Sequence, residues 1–463
     1  MLYKINKFIK MEQETITNTN NKSSKSHYKE RNLIYKNGKL VKKFQDKKRL
    51  GEKEQNEIGK RIYHLMKNKV NFISGTVAPA PSSKQEDYLN IEDLKIGFDI
   101  LSKQYNYNYT LSVQPKFMGS RCNVYLFNNQ INLSYSVSRN GYLISKDRLD
   151  LSSIYSQLQN RLGKWMNENS IHMIILDGEL LPWSALGKDL IERDFFPVKA
   201  GLEVEIECGR MFDFDVHYNQ MKQKLNSIIP EKEFEKLKKK ERVDKFPTIY
   251  QTYNTYLETD NFYQSVEQME TLLKTYSKQM DLYGETWELD FKPFSILKII
   301  YNDGKETIPL LDKTLTQSTM YDMIYSGLDI DAQLVLQINP TNYKDQYDIL
   351  KKWFDKKTIN EGYEGILLKP DIINIDSLPL LKVRNPDYLT IIYGYDYKLE
   401  HNYKALVNKK KTSGKIKQSI KEFKLGMNLL SMNYSNLNTD EYKSRLENFI
   451  NCELDGVDLD PRL

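Results

Sequence analysis

The sequence predicts an α+β fold, in which a strand-built core is split by a helical insertion and followed by a helical C-terminal module. Period-two apolar patterns dominate from Tyr109 to Glu179 and return between Asp290 and Arg384. Between them, from Lys188 to about Glu285, the pattern turns helical and charged. The last sixty or so residues are helical again and lack the five short strands of a terminal OB-fold.

The strand segments are "YTLSVQP", "CNVYLF", "INLSYSVSRNG" and "IHMIILDGEL", with one helical stretch at "SSIYSQLQNRLGKWMNEN". The insertion carries "EKEFEKLKKKERVDK" and "YQSVEQMETLLKTYSKQM". Strands resume at "DFKPFSILKIIYND", "EGILLKP" and "LLKVR", and "SGKIKQSIKEFKLGMNLLSMN" reads as a C-terminal helix. No internal repeat is evident.

Upstream, residues 11–30 have no apolar periodicity and read as flexible. Ile58, Ile62, Leu65 and Met66 fall at helical spacing and predict an amphipathic docking helix, after which "SGTVAPAPSS" reads as a turn-rich connector. The predicted organisation is a basic N-terminal segment over residues 1–74 and a core over 75–395, with its insertion at about 186–285. A helical module follows over 396–463.

At 463 residues the chain needs two or three structural units. No window holds the apolar run of a membrane span, and the N-terminus lacks a signal-peptide apolar block, so a cytoplasmic location is expected. Residues 1–70 hold 19 Lys and Arg against 7 Asp and Glu, a surplus of 12 that sets the remainder near −6 against a total of +6. Such a segment serves as a solubilising tail, a phosphate contact or a docking arm for an acidic partner.

Cys122, Cys208 and Cys452 are far apart and form no Cys-x-x-Cys pair, and the five histidines are scattered. A disulfide framework, a structural zinc site and a histidine-led triad therefore have no support. "KKKTSGKIK" has Lys409 where a P-loop needs its first glycine, so it fails that pattern. The chemistry falls to Lys, Arg, Glu and Asp.

Ionised residues inside apolar strands are costly unless paired or used. They occur in order as Lys116 and Arg121, Arg139, Asp177 and Glu179, Glu364 and Lys369, and Lys382 and Arg384. The local words "KFMGSR", "SRNG", "LDGEL", "FKPFSILK", "EGILLK" and "LLKVR" resemble, in the same order, the motifs of covalent nucleotidyltransferases, the polynucleotide ligases and RNA capping enzymes. Met118 in "KFMGSR", the extension "LDGELLPWSA", "LLKVRNPDYLTIIYG" and the terminal "DPRL" are more specifically similar to the ligase part of bacterial polynucleotide kinase-phosphatase-ligase RNA repair proteins. The resemblance runs from about Gly75 to Leu463. Kinase and phosphatase modules are not found in this chain, so it resembles the stand-alone ligase subunit of a split system.

That resemblance implies an ATP-grasp-like ligase core of antiparallel sheets without an OB-fold. It also implies partners: RNA, a polynucleotide kinase-phosphatase subunit and an RNA 3′-terminal 2′-O-methyltransferase, with no membrane. Lys116 would attack ATP to give lysyl-AMP, with Arg121, Glu179, Lys369, Lys382 and Arg384 binding ATP. Phe294 would stack on adenine, Phe291 being the second candidate. Arg139 would contact RNA, and Glu364 would hold a divalent cation, Mg2+ or Mn2+.

A free lysine has a pKa of about 10.4, and lowering it by roughly three units takes about 4 kcal/mol of differential destabilisation of the ammonium. Desolvation, the neighbouring cations and a divalent ion are the expected sources. Gly119 is expected to bring the backbone close to the nucleotide, and Trp183 is placed outside the site. Gln114 stands where many ligases have an acidic residue that reads the adenine amino group, which leaves the preference for ATP over GTP open. The alternatives are a GTP-dependent RNA guanylyltransferase, whose terminal motif is matched only by the misplaced "RVDK" at Arg242–Lys245, and a catalytically weak RNA-binding assembly subunit.

Overall fold

The computed structural model describes residues 34–36, 39–41, 52–83, 90–105, 110–186, 191–260, 262–284, 288–325, 335–409 and 412–455. The expected flexibility of residues 11–30 and the terminal "DPRL" lie outside the described residues. The chain divides into two compact units, Met1–Glu57 and Ile58–Leu463. In the first, β1 (Ile34–Lys36) and β2 (Lys39–Val41) pair as an antiparallel hairpin.

The second unit is built on two five-stranded sheets. One has the order β10-β4-β11-β12-β3. It comprises β3 (Ala78–Pro79), β4 (Leu111–Lys116), β10 (Leu336–Ile338), β11 (Gly365–Pro370) and β12 (Leu381–Arg384). The other has the order β6-β5-β7-β8-β9. Its strands are β5 (Ser120–Phe127), β6 (Tyr135–Ser138), β7 (Ile171–Leu181), β8 (Asp290–Tyr301) and β9 (Glu306–Thr307). Every pairing is antiparallel except that of β12 with β3.

Alternation along β4 divides its two faces. Leu111 and Val113 enter an apolar core with Ile366, Leu368, Leu381 and Val383, while Ser112, Gln114 and Lys116 take the opposite face. Helix α1 (Glu52–Lys67) precedes this sheet, and α2 (Leu94–Gln104) covers it with Leu94, Phe98 and Leu101. The second sheet packs Val124, Leu126, Ile174, Leu176 and Ile296 with Leu158 and Leu162 of α3 (Ser152–Glu168).

Between β7 and β8 the described residues form six α-helices, preceded by a π-helical turn at Ile191–Phe195. They are α4 (Phe196–Met211), α5 (Phe214–Ile228), α6 (Glu231–Lys236), α7 (Lys239–Lys245), α8 (Tyr250–Asp260) and α9 (Val266–Gly284). Leu181 pairs with Asp290, so the insertion leaves and re-enters the sheet at one rung of the β7–β8 ladder. It carries its own small core around Tyr218, Leu225, Phe234, Tyr253 and Tyr256. Arg242 of "RVDK" lies in α7, where its guanidinium donates to the carbonyls of Leu237 and Glu235 and covers the Phe234 ring.

The remaining helices are α10 (Pro309–Asp312), α11 (Gln317–Tyr325), α12 (Tyr343–Asp355), α13 (Leu389–Tyr393), α14 (Glu400–Lys409), α15 (Thr412–Leu430) and α16 (Asp440–Leu454). Among the described residues no strand follows β12, and the C-terminal region is helical, without an OB-fold. The buried Lys298 ties it to the second sheet, donating to Asn71 Oδ1 at 2.9 Å and to the carbonyls of Leu430 and Met432 at 2.8 and 2.7 Å.

Two upstream expectations change. Ile62, Leu65, Val70, Phe72 and Ile73 are part of the second sheet's core, so the compact unit begins well before Gly75. The connector "SGTVAPAPSS" contains edge strand β3, where Pro79 is tolerated because an edge does not require every N–H.

Candidate active site

Lys116 is the last residue of β4, and Ser120 opens β5 in the other sheet. The "KFMGSR" segment therefore crosses from sheet to sheet, and its lysine stands where the two diverge. Gly119 permits the crossing: a Cβ there would stand 2.6 Å from Glu179 Cγ, Leu180 O and Leu181 Cδ2. The close approach is to β7, and Gly119 also lines the cavity described below.

Register supplies the neighbours. Gly365 of β11 is opposite both Lys116 and Arg384, and Leu367 is opposite both Gln114 and Lys382. A Cβ at Gly365 would lie 2.3 Å from Val383 O, so only glycine lets β12 approach this closely. Glu364, just before β11, accepts from Lys116 Nζ at 2.6 Å. In the other sheet Arg121 faces Glu179, and Asp177 accepts from Arg121 Nε at 3.0 Å, Arg121 Nη2 at 2.6 Å and Asn123 Nδ2 at 2.9 Å.

A cavity of about 640 Å³ is lined by Lys116, Arg121, Arg139, Glu179, Phe294, Glu364, Lys382 and Arg384. Lys369 is the one predicted site residue that does not line it. It borders an adjoining cavity of about 50 Å³ with Arg121 and Asp177, its Nζ 5.0 Å from the centre of the Phe294 ring. Lys369 shares a strand face with Leu367 but is opposite Ser112, two rungs beyond Gln114, which carries it behind the cavity wall. Phe294 stacks on Phe117, whereas Phe291 belongs to the core of the second sheet.

Arg384 lines the cavity, but its Nε and Nη2 donate to Glu92 Oε1 at 3.1 and 2.6 Å in a fully buried pair. Only Nη1 has no hydrogen-bond partner among the described residues. Trp183 also lines the cavity, contrary to the placement made from sequence, because β7 ends at Leu181 and the following turn lies at its rim. Sequence reasoning also missed Arg148, Tyr388, Lys415 and Glu453 on the lining and Glu92 behind it. Only Tyr388, inside the extended "LLKVRNPDYLTIIYG" word, carried a local signal.

Burial sets the electrostatics. It pushes the Glu179 carboxyl up to about 7; Lys116 opposes this rise and Glu364 adds to it. Burial drives Lys369 down to about 7 against the attraction of Asp177, with Arg121 adding to the fall. Lys382 is held well below the usual ammonium range by burial and then by Arg384. Burial alone would lower Arg384, but the Glu92 carboxylate raises it. Arg139 is lowered by burial and by Arg121, and its Nη2 donates to Thr76 Oγ1 at 3.4 Å. Gln114, on the Lys116 face, is fully buried, and neither its Oε1 nor its Nε2 has a hydrogen-bond partner among the described residues. The arrangement offers a lysine beside two buried carboxylates, in a cavity rich in cations and with an aromatic wall.

The family model for the PNKP adenylyltransferase domain, ligase domain, matches residues 62–261 and 257–439. A comparison with curated proteins finds no match. A chain in the structure of the Pnkp1/Rnl/Hen1 complex is 28% identical, with a TM-score of 0.73, covering 88% of this chain and 100% of that one. A chain in a structure of the Pnkp1/Rnl/Hen1 RNA repair complex is likewise 28% identical with a TM-score of 0.73, covering 89% and 100%. Fold, ordered motifs and family model agree, and the chain belongs to the PNKP adenylyltransferase, or ligase-domain, family.

Proposed function

We propose that this chain is an ATP-dependent RNA ligase that joins 5′-phosphate and 3′-hydroxyl RNA ends in RNA repair through a lysyl-AMP on Lys116. The observation that carries the proposal is the place of Lys116, at the crossing between two sheets and 2.6 Å from Glu364 inside the shared cavity. Lys116 must lose that ion pair before Nζ attacks the α-phosphate. AMP then passes to the RNA 5′-phosphate, and the 3′-hydroxyl displaces it.

Phe294 is the surface for adenine, backed by Phe117 and Lys369. Gln114 has both a donor and an acceptor to offer the base. Lys382 and Arg384 Nη1 bind phosphate oxygens, and the Arg121–Asp177 pair braces the wall that presents Glu179. Lys369 acts through Phe294 and Arg121, while Arg139, beside Thr76 on the cavity lining, meets RNA.

A divalent cation, Mg2+ or Mn2+, fits beside Glu364 and Glu179, two buried carboxylates that line the same cavity. Among the described residues no group of three His, Cys, Asp or Glu is arranged to hold a metal, so phosphate and water oxygens would complete the shell. When bound, such an ion neutralises charge on the departing pyrophosphate.

Assembly with a kinase-phosphatase subunit and an RNA 3′-terminal 2′-O-methyltransferase is part of the proposal. Its support is that the two solved structures compared above are of Pnkp1/Rnl/Hen1 assemblies. The test follows α-labelled ATP or GTP with the chain, a divalent ion and nicked RNA, with and without those partners. Label moving from ATP to protein and then to an RNA 5′-end, followed by sealing, is the expected course. Label from GTP alone would favour the guanylyltransferase, and no transfer under any condition would favour the assembly subunit.

A further inference from the structure

The segment around Gly414-Lys415 fails the P-loop pattern, yet Lys415 lines the same cavity as Lys116. It lies in the first turn of α15, a helix of 19 residues. Glu422 follows seven residues later, which is about two turns and ~10 Å along the axis on the same helix face. Glu422 is buried and accepts the backbone N–H of Thr76 at 2.5 Å. The face of α15 that carries both residues is therefore pressed on the Gly75–Val77 segment, itself part of the cavity wall.

This contact continues into the sheet. Immediately beyond Val77, β3 sets Pro79 opposite Lys382. Lys116, Lys382 and Lys415 thus border one cavity along a connected wall. The lining holds seven Lys and Arg against three Glu. One buried donor of that lining, Arg384 Nη1, has no hydrogen-bond partner among the described residues. The first turn of a long helix adds a favourable field for an anion.

We propose that Lys415 binds the β- and γ-phosphates of ATP, so that the C-terminal helical module takes part in the first chemical step. This rests on the ATP-ligase reading above. The Lys116 Nζ–Pα bond forms as the bond from Pα to the bridging oxygen of the β-phosphate breaks. Pyrophosphate leaves with the electron pair, Nζ releases its surplus proton to water, and the charge developing on the leaving group falls at Lys415.

The test compares ATP and AMP binding by calorimetry in the full chain carrying Lys116→Ala, with and without Lys415→Ala. Lys415→Ala should weaken ATP binding by about 10-fold or more, the scale of one charge-assisted contact, and change AMP binding less than about 2-fold. In the chain with Lys116 intact, Lys415→Ala should slow lysyl-AMP formation from ATP more than sealing of 5′-adenylylated RNA, and Lys415→Arg should restore most of the loss. Equal effects on ATP and AMP, or no effect on either, would overturn the proposal. So would a larger loss with 5′-adenylylated RNA, which would assign Lys415 to RNA. If the chain with Lys116 intact binds ATP but never forms lysyl-AMP, the ligase reading fails while the binding comparison still decides the role of Lys415.

Discussion

Lys116 Nζ and Glu364 Oε2 stand 2.6 Å apart, and the strands beside them are in register so that Gly365 lies opposite Lys116. The nucleophile of the proposed reaction is thus held by the residue assigned to the cation. Lys116 ends strand β4, and Glu364 is the residue immediately before β11, where its carbonyl accepts from Asn385 N at 2.8 Å. The same rung carries Arg384, so three motifs distant in sequence meet at one level of one sheet.

Replacing Glu364 by Gln keeps the shape and removes the charge. The apparent affinity for Mn2+ in single-turnover adenylylation should fall by about 10- to 100-fold. A titration that superimposes on the unmodified protein would remove Glu364 from cation binding.

Glu179 makes stability depend on pH. Its folded pKa of about 7 lies above the ordinary glutamate value of 4.5, so the folded state binds more protons between those values. Its contribution is fully present below about pH 4.5 and is lost as pH rises through 7. Glu179→Gln should therefore be more stable than the unmodified chain at pH 8 by up to about 3 kcal/mol, at 1.36 kcal/mol per pKa unit, and no more stable at pH 4. Urea unfolding without nucleotide or metal, repeated across that range, checks both the sign and the window. The substitution should also slow adenylylation.

The Glu92–Arg384 pair is fully buried. Removing only one charge leaves the other without compensation, so Glu92→Gln should cost about 3–5 kcal/mol. Equilibrium unfolding measures this, and a cost below about 1 kcal/mol would show that the pair is not buried as described.

At Gly365, a methyl group would meet the β12 backbone at Val383 O and Arg384 Cα. Gly365→Ala should destabilise by about 3 kcal/mol, the upper end for overpacking, and reduce adenylylation by displacing Glu364 and Arg384. Thermal unfolding with an adenylylation assay would check both effects.

The long strands were legible because β5, β7 and β8 each present eight or more residues of apolar pattern. β3, β9 and β10 have two or three residues each, too few for a period to show. Nor can pattern alone assign partners, so the division of "LSV" and "NVYLF" between two sheets emerges only from the fold. The site was readable where motif residues share strand faces near Lys116. Lys369 keeps the face but lies further along β11, behind Phe294. Lys415 and Glu453 come from C-terminal helices and Arg148 from a loop, where sequence spacing gives no sign of the cavity they reach.

In the proposed reaction Lys116 carries the nucleotide. Incubation with ATP and Mg2+ or Mn2+, followed by proteolysis and peptide mass mapping under conditions that preserve phosphoramidates, tests it most directly. AMP is expected on the peptide containing Lys116, with no adduct in Lys116→Arg. AMP on another lysine, or an adduct that survives in Lys116→Arg, would contradict it.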